Sequence, residues 1–420
     1  MTTELPAAPV TADPGQNPVS RLYLAALGVA QAGIFVAILS PVFVTMQLKA
    51  EDLNPDNPAA VIGTVLPIGA LGAIFGNPIF GALSDSTRTR WGRRKPWLMG
   101  GIVVLLAGLA WVGASTSVAM LTVAWLVCQL ASNAASASLL ASFADNVPAA
   151  QRGQASSILA LSQNISILAG TYAAVVLVGN LGLLFVVPGV LGVVMVTFYV
   201  MVTPDVLPHE RVPRPSIIGL FTTLWTNPLK YPDFGLAWWS RFCVILATTM
   251  FTTYRLLYMK DHLGLEEDAA VKAVANGVLF YTIALLAAAA ASGWLTDRLQ
   301  RRKIFVAGST LMFGFGLVVL ALAGTVAVFY LAEIILGFAY GIYAAVDNAL
   351  VVEVLPDPDK PGKDLGVINI ANSLPQSLAP VVGLTLLGLG GGDNYPALLW
   401  GAAFVALIGT LVIIPIRSVR

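Results

Sequence analysis

The sequence predicts an all-α membrane protein in which twelve transmembrane helices form two pseudo-symmetric six-helix bundles. Of the 420 residues, 57% are hydrophobic and only 11% are charged, whereas charged residues make up about 25% of a typical soluble domain. Twelve apolar segments reach the length of about 20 residues that a helix needs to cross the core of a bilayer. The longest polar interruption, from Pro204 to Phe234, divides these segments six and six.

Each predicted span is a mainly apolar run between two polar breaks. The spans are expected at 22–46, 58–83, 97–116, 119–142, 154–178, 181–203, 235–259, 272–294, 304–324, 326–352, 366–389 and 394–416. The first run is too long for a signal sequence and more spans follow it, so we assign it to the mature protein. The expected domains are a cytoplasmic tail (1–21), a first bundle (22–203), a cytoplasmic linker (204–234), a second bundle (235–416) and a cytoplasmic end (417–420).

The loop charges predict the orientation, because Lys and Arg are retained on the cytoplasmic side. Of the 23 basic residues, 18 fall in one alternating set of loops and termini, and only Lys49, Lys260 and Lys272 fall in the other set. We therefore expect a multi-pass protein of the cell membrane with both termini cytoplasmic. The net charge of +1 argues against a nucleic-acid partner. The expected partners are the lipid bilayer and a small-molecule substrate, and we expect a monomer.

The cysteines do not indicate a disulfide. Cys128 and Cys243 both lie within apolar runs, where a cysteine usually behaves as a small buried hydrophobic residue.

The two halves carry related local sequences at an offset of about 213 residues. The stretch 81–85 (GALSD) follows span two and precedes a basic run, and 293–297 (GWLTD) follows span eight and precedes another. Parallel repeats related by an axis along the membrane normal occur in one class of secondary transporters.

This repeated Gly-x-Leu-x-Asp loop with its basic run resembles the signature of the major facilitator superfamily, and the likeness covers the whole chain. The first copy, DSTRTRWGRRKPW at 85–97, is similar to the loop of the glycoside-pentoside-hexuronide:cation symporters and the related sucrose transporters. The resemblance implies that Asp85 holds the start of span eleven near Gly366, and that Asp297 holds the start of span five near Gly153. A helix N-terminus favours such a carboxylate through its unpaired N–H groups and its dipole. The basic residues expected to belong to this cytoplasmic gate are Arg93, Arg94, Arg152, Arg301 and Arg302. Alternatively, the basic runs serve only to orient the protein.

Four ionisable side chains fall well inside predicted spans, where charges are costly and mark functional sites. Arg241 and Arg255 lie on span seven, and Glu333 and Asp347 lie on span ten. The two residues on each span are 14 residues apart, close to four helical turns, so they share one face of that helix. Because the two spans run in opposite directions, Arg241 matches Asp347 in depth and Arg255 matches Glu333. The resemblance implies that both spans line the cavity of the second bundle, which makes them neighbours.

Two interpretations of these charges remain open. In the first, Asp347, alone or paired with Arg241, takes up and releases a proton during transport, and Arg255 with Glu333 forms an outer latch. In the second, both pairs are fixed structural salt bridges, whose attraction is largely offset by desolvation.

The other polar candidates within the spans are amides, which both donate and accept hydrogen bonds and can therefore bind hydroxyl groups. In the first half they are Gln31, Gln129, Asn133, Gln163 and Asn164. In the second half Asn369, Asn372 and Gln376 form one stripe on span eleven, with Trp238, Trp239, Tyr340 and Tyr343 as nearby apolar platforms. Helix–helix hydrogen bonding is an alternative role for each amide, and anchoring at the lipid interface is an alternative for the aromatic residues.

The coupling ion is expected to be a proton. Sodium-coupled members of the group that the loop resembles carry acidic residues on span two. Residues 61–84 of this span contain no acidic residue. Sodium therefore lacks charged oxygen ligands, which leaves a proton or no coupling ion. The carboxylates that this family uses for sugar hydroxyls on spans one and four are also missing.

Glycines and prolines within the spans fit a protein whose bundles rock against each other. Gly72 with Gly76 and Gly337 with Gly341 should permit close helix contact. Proline in span eleven, at 375 and 380, should break or bend that helix.

The expected function is that of a secondary active transporter, which moves a small polar solute such as a sugar or glycoside by alternating access. Export of drugs or metabolites is the alternative within the same fold. An enzyme is disfavoured because the two histidines, His209 and His262, lie in loops and no cluster has metal-ligand spacing. We expect neither a cofactor nor a metal. A channel is disfavoured because no carbonyl-lined filter is recognisable.

Overall fold

The computed structural model is all-α and describes residues 18–205, 230–299, 301–356, 361–390 and 392–416. Within these ranges twelve helices are long and apolar enough to cross a membrane, which confirms the predicted fold class. They are α1 (Arg21–Leu53), α2 (Pro58–Ser86), α3 (Lys95–Gly113), α4 (Val118–Asn146), α5 (Ala149–Leu177), α6 (Leu181–Val202), α7 (Pro232–Thr253), α8 (Glu267–Leu299), α9 (Arg302–Ala321), α10 (Val326–Glu353), α11 (Pro361–Leu387) and α12 (Tyr395–Ile413). Most of the predicted tail and linker, and the chain end after residue 416, lie outside the described residues.

Polar residues at the breaks between spans start several of these helices. Their side chains accept a hydrogen bond from a backbone N–H of the first turn, which would otherwise be unpaired. The residues that cap a helix in this way are Ser20, Asn57, Ser117, Asn180, Thr325 and Asn394.

The first helix of each half changes its winding near the same end. α1 is α-helical over Arg21–Ser40, π-helical over Pro41–Thr45 and α-helical again over Met46–Leu53. α7 is followed by the turn Arg255–Leu257 and a π-helical segment Tyr258–His262. Such π segments are frequent at functional sites, and both lie where the two halves meet.

The helix contacts repeat between the halves. In the first half α1 packs against α5 and α6, α2 and α3 pack against α4, and α3 packs against α6. In the second half α7 packs against α11 and α12, α8 and α9 pack against α10, and α9 packs against α12. Adding six to each helix number of the first set gives the second set. The halves meet along α2 with α11 and along α5 with α8, and these two contacts are also exchanged by the same symmetry.

The predicted close approaches at the glycine pairs are present. A Cβ at Gly337 would lie 2.2 Å from the carbonyl oxygen of Tyr281, and one at Gly341 would lie 2.3 Å from that of Leu285. α8 and α10 therefore touch backbone to backbone. The other predicted pair, at 72 and 76 on α2, lies against side chains of α4.

The predicted break at the prolines of α11 is wrong, because α11 remains one helix from Pro361 to Leu387. Membrane helices tolerate internal proline. The hydroxyl of Tyr254 donates to the carbonyl oxygen of Pro380 and so joins the end of α7 to α11. Pro67 and Pro78 are likewise inside the continuous α2.

Candidate functional site

Two ends of the helix bundle are distinguished by their loops. We call the end that carries the α2–α3 and α8–α9 loops the basic end, and the end that carries the α1–α2 and α7–α8 loops the opposite end. The candidate site lies between the two halves, and its shape depends on which end holds the halves together.

At the opposite end α1 is bonded to the segment after α7. The side-chain oxygen of Gln47 accepts from the backbone N–H groups of Leu256 and Leu257, at 2.9 and 3.2 Å. The ammonium of Lys260 contacts both carboxylate oxygens of Glu51 at 2.6 Å. We call Gln47, Glu51, Arg255, Lys260 and Glu333 the opposite-end latch, because the first four link the two halves and Glu333 pairs with Arg255.

A second bond between the halves joins α5 to α8 at the same end. The hydroxyl of Tyr172 donates to the side-chain oxygen of Asn276 at 2.9 Å, and the amide N–H of Asn276 reaches the hydroxyl of Tyr330 on α10 at 3.4 Å. Nearby, a Cβ at Gly63 on α2 would lie only 2.7 Å from Leu384 on α11. The halves are therefore in close contact on several sides at this end.

The aromatic cluster beside the latch includes one perturbed carboxyl group. Asp261 accepts a hydrogen bond from the hydroxyl of Tyr395. Burial raises the pKa of Asp261 above its usual range, and the hydrogen bond from Tyr395 opposes that rise. His262 stacks on the ring of Tyr258, with the ring centroids 4.9 Å apart.

The bonds between the halves described above all lie at the opposite end. Gln163 is residue 15 of the 29 in α5 and is exposed, and Gln376 is residue 16 of the 27 in α11 and is also exposed. Exposed polar side chains at the middle of membrane helices face water rather than lipid. These amides fit a water-accessible space between the halves that opens at the basic end.

The first predicted charge pair is formed and buried. Asp347 on α10 accepts from the Nε atom of Arg241 on α7 at 2.7 Å, and it also contacts a terminal guanidinium nitrogen of that arginine. Both bonds end on Oδ2, and the other carboxylate oxygen, Oδ1, is buried without a hydrogen-bond partner among the described residues. One turn earlier on α10, the buried hydroxyl of Tyr343 lies close enough to interact with Asp347 and Arg241. Buried polar atoms are rarely left unpaired, so Oδ1 of Asp347 offers a place for a proton or for a bond from this hydroxyl.

The second predicted pair is also formed, but with weaker geometry. Arg255 Nη1 lies 3.1 Å from Glu333 Oε1, yet neither Glu333 oxygen has a hydrogen bond among the described residues. The Glu333 side chain is 0% exposed. The guanidinium also lies over the rings of Phe43 on α1 and Phe251 on α7, at 5.8 and 4.9 Å. Arg255 thus connects α10 to α1 across the two halves.

The predicted amides of the first half are partly accessible. The Asn133 and Asn164 side chains donate to carbonyl oxygens one turn earlier on their own helices, at 2.8 and 3.0 Å. Gln129 lies where α4 packs on α2, since a Cβ at Gly69 would meet its side chain at 3.1 Å. Gln31 on α1 is half-buried.

In the second half the stripe on α11 is accessible. Asn369 and Gln376 are exposed and Asn372 is half-buried. The Gln376 amide N–H donates to the carbonyl oxygen of Asn372 at 2.9 Å. A carbonyl oxygen can only accept, so the NH₂ group of Gln376 faces its own helix and the amide oxygen points away.

The predicted aromatic platforms separate into two groups. The indole N–H of Trp238 donates to the carbonyl oxygen of Val367 at 2.9 Å, which fixes this residue between α7 and α11. Trp239 is 52% exposed and packs edge-on against Trp238. Tyr340 and Tyr343 lie side by side on α10, with ring centroids 5.7 Å apart, close in sequence to Asp347.

The gate residues of the α2–α3 loop are bonded within the first half. Asp85 pairs with Arg94 at 2.6 Å, and Asp145 at the end of α4 pairs with Arg94 at 3.0 Å and with Arg93 at 2.7 Å. Asp85 is therefore held by an arginine of its own half. The expected contact of Asp85 with the start of α11 involves side chains outside the described part of the structure.

The remaining gate residues are placed as follows. Arg152 is exposed and its Nε donates to the carbonyl oxygen of Val147 at 3.3 Å. Arg302 pairs with Glu353, and Arg301 is exposed. The side chains of Asp297 and Gly366 lie outside the described part of the structure.

Several residues of the site were missed by the sequence analysis. Gln47 and Tyr172 carry bonds between the halves, but a single polar residue near a span end gives no signal of a partner in the other half. Asp205 accepts from the backbone N–H groups of Arg94 and Lys95 at 2.7 and 2.9 Å, so it caps α3 from the start of the predicted linker. The described residues contain no cluster of three or more His, Cys, Asp or Glu, and Cys128 and Cys243 are buried and free.

Comparison with known proteins agrees with this architecture. The crystal structure of the nucleoside transporter NupG (D323A mutant) superposes with a TM-score of 0.74 over 94% of this chain and 99% of that chain, at 12% identity. An uncharacterised symporter from Synechocystis sp., sll1374, is 54% identical over 46 residues, which are 11% of this chain and 8% of that protein. An uncharacterised MFS-type transporter from Bacillus subtilis, YfiU, is 27% identical over 140 residues, which are 31% of this chain and 27% of that protein.

A family model described as Major Facilitator Superfamily matches residues 25–380 and 273–419. These two matches together span most of the chain, so the protein belongs to the major facilitator superfamily. Its family and its twelve apolar helices indicate a multi-pass membrane protein.

Proposed function

We propose that this member of the major facilitator superfamily is a proton-coupled secondary active transporter for a small, neutral, hydroxylated solute, such as a sugar or glycoside. It would work in the cell membrane by alternating access, with both termini and the basic end cytoplasmic. The proposal rests on two exposed neutral amides at mid-height, one on each half, together with a buried Arg–Asp pair.

The position of the two glutamines supports a substrate site at mid-height. Gln163 and Gln376 are 213 positions apart, which is the offset between the repeats, and each is exposed near the centre of its helix. The pseudo-symmetry therefore places one equivalent amide on each half. A solute that touches both would be held at the point about which the two halves move.

The direction of the amide groups supports a solute that donates hydrogen bonds. The side chains of Asn133, Asn164 and Gln376 each use an N–H on a carbonyl of their own helix. Their oxygens remain as acceptors, and hydroxyl groups of a sugar or nucleoside can donate to them. The described amide sites carry no charge, which suits a neutral solute better than an organic cation.

The Arg241–Asp347 pair supports coupling to a proton. Asp347 has one oxygen bonded to Arg241 and a second oxygen with no hydrogen-bond partner among the described residues. A proton on this second oxygen would neutralise Asp347 and weaken its bond to Arg241. Because a buried ion pair depends strongly on both partners, this change could be transmitted to α7 and α10. Arg255 and Glu333 are assigned to the latch at the opposite end, which closes the outer side in this state.

Transport by reconstituted protein tests the proposal. Counterflow in proteoliposomes should reveal exchange of a disaccharide, glycoside or nucleoside, and a pH electrode should record proton uptake with the solute. Replacement of Gln163 or Gln376 by Ala should raise the KM by about threefold to tenfold, which corresponds to the loss of a hydrogen bond. Thr64→Ala is the control, because Thr64 is exposed near the opposite end and its hydroxyl bonds only its own helix, to Ala60.

Three outcomes would contradict the proposal. Solute accumulation driven by sodium without proton movement would remove the proton. Exchange of organic cations but of no hydroxylated solute would favour an exporter of drugs or metabolites. An unchanged KM in both glutamine variants would remove the mid-height amides from the substrate site.

A further inference from the structure

A groove on the surface of the first bundle has no role in the transport cycle described above. It is open, has a volume of about 500 Å³, and lies where the end of α2 and the start of α3 pack on α4. The groove is therefore in the half of the protein nearer the basic end. Its lining is almost entirely apolar and includes Phe80, Trp97, Val104 and Leu130.

Two glycines line the groove, and one tryptophan in its wall is held by a hydrogen bond and by ring packing. Gly101 packs so closely on α4 that an added Cβ would lie 2.8 Å from the carbonyl oxygen of Ala131, whereas a Cβ at Gly100 would meet no atom within 4 Å. The indole N–H of Trp97 donates to the hydroxyl of Thr87 at 2.8 Å. The Trp97 ring also packs on Phe80, with centroids 5.6 Å apart.

A tight turn with an arginine and a tryptophan at its tip stands beside the groove. Thr89 and Gly92 exchange backbone hydrogen bonds of 3.2 and 3.0 Å, which leaves Arg90 and Trp91 as the two central residues. Gly92 has a φ of 104°, a conformation that suits glycine. Trp91 is 65% exposed, and exposed tryptophans are typical of the membrane–water interface.

Two cations of this loop are available to a ligand. Arg93 and Arg94 are held by Asp145 and Asp85, but Arg90 and Lys95 form no ion pair with any described residue. The loop begins at Thr87 and ends next to Pro96, and both of these residues line the groove. Lys95 directly precedes Pro96. Apolar lining and unpaired positive charge therefore lie together at the level of the membrane surface.

We propose that this groove binds an anionic phospholipid from the cytoplasmic leaflet. One acyl chain lies between α2, α3 and α4, the phosphate lies between Arg90 and Lys95, and Trp91 sits at the level of the headgroup. Basic residues beside a membrane attract anionic lipids, and the groove adds a place for the chain. The site is on the surface of one bundle, so it does not depend on which solute is transported.

A second groove of the molecule provides a matched comparison. It lies between α9 and α12, has a volume of about 690 Å³, and is lined by apolar residues and glycine, including Gly308. At the start of α9, Arg302 pairs with Glu353, Lys303 donates to the carbonyl oxygen of Ile416, and Arg301 is exposed. With one exposed cation in place of Arg90 and Lys95, the second groove should prefer an anionic headgroup less strongly than the first.

Native mass spectrometry of the full protein in detergent tests the site, with dioleoyl phosphatidylglycerol and dioleoyl phosphatidylcholine as probes. The wild-type protein should bind phosphatidylglycerol more tightly. Arg90→Gln and Lys95→Gln should each weaken its binding about fivefold, the factor expected for one cation near the membrane surface. Gly100→Leu should block the chain and weaken binding of that lipid, whereas Gly308→Leu should leave the preference unchanged. Both glycines have open space for a side chain, so both variants should fold.

Other results would overturn the proposal. Equal binding of the two lipids, or an unchanged preference in the double variant Arg90→Gln/Lys95→Gln, would show that the loop cations do not select the headgroup. Displacement of phosphatidylglycerol by millimolar inorganic phosphate, together with full binding by Gly100→Leu, would indicate a phosphate site without a lipid chain.

Discussion

The buried pair Arg241–Asp347 should be needed for proton coupling but not for folding or for solute exchange. A variant that lacks both charges tests this. Asp347→Asn alone leaves Arg241 buried without a counter-charge, which costs about 3–5 kcal/mol. The double variant Arg241→Gln/Asp347→Asn removes both charges, and such replacements of a buried ion pair are often close to neutral. The double variant should therefore fold better than the single variant, as measured by thermal unfolding in detergent.

The effect on coupling follows from the energy in a proton gradient. One pH unit supplies about 1.4 kcal/mol for each proton, which supports a tenfold solute gradient in a one-to-one symporter. In proteoliposomes with such a gradient, the wild-type protein should accumulate solute about tenfold. The double variant should only equilibrate solute, while its counterflow activity, which needs no gradient, persists.

A matched control uses the other buried pair. Arg255→Gln/Glu333→Gln removes the same two charges at the opposite end, and it should keep gradient-driven accumulation because those residues belong to the latch. If the Arg241/Asp347 double variant accumulates solute as the wild type does, the pair is a structural salt bridge and the coupling site lies elsewhere. If both double variants lose accumulation equally, the assignment of different roles to the two pairs is wrong.

Three further predictions concern the latch, the helix contacts and pH. Glu51→Gln should remove the ion pair with Lys260, which is worth up to about 1 kcal/mol. The population that is open at the opposite end should then rise by up to about fivefold in spin-label distance measurements. High salt should have a similar effect on the wild-type protein. Gly337→Ala should lower stability by about 1–3 kcal/mol in thermal unfolding because its Cβ would clash with backbone, whereas Gly324→Ala, which has open space, should not. Burial raises the pKa of Asp261, so its carboxyl favours the folded state at acidic pH and this contribution is lost as the pH rises through the raised pKa. The gain in melting temperature on lowering the pH from 7 to about 4, near the usual pKa of an Asp carboxyl, should therefore be smaller in Asp261→Asn.

The spans and charge pairs could be predicted because they depend on local and periodic features. A helix repeats every 3.6 residues, so a spacing of 14 residues between Arg241 and Arg255, and between Glu333 and Asp347, places each pair on one face. A charge inside the membrane needs an opposite charge at the same depth, which leaves few alternative partners for Arg241 and Arg255. The end of α1 was less predictable, since the helix continues past 46 through the polar stretch to Leu53. Beyond the apolar core a helix can continue without apolar residues, so hydropathy no longer marks its end.

Contacts between the halves could not be predicted from the sequence. The bond from Gln47 to the backbone after α7 depends on how the two bundles are set against each other, and α1 carries no pattern that specifies it. The ion pair between Asp85 and Arg94 joins the end of α2 to the start of α3, and the resemblance did not imply this partner.

The two halves share a scaffold but not its charges, and this difference bears on how coupling works. The helices equivalent to α7 and α10 are α1 and α4, and residues 22–46 and 119–142 of these helices contain no Asp, Glu, Lys or Arg. Gln163 and Gln376, by contrast, are equivalent to each other and both exposed. On the proposed function, both halves then contact the solute, but only α7 and α10 respond to the proton. Binding of a proton would change the packing of the second half alone, and the first half would follow through the solute that both hold. Solute-free protein should therefore change state on protonation less readily than solute-bound protein, which spin-label distances across the basic end at two pH values can measure; equal responses with and without solute would contradict this coupling through the solute.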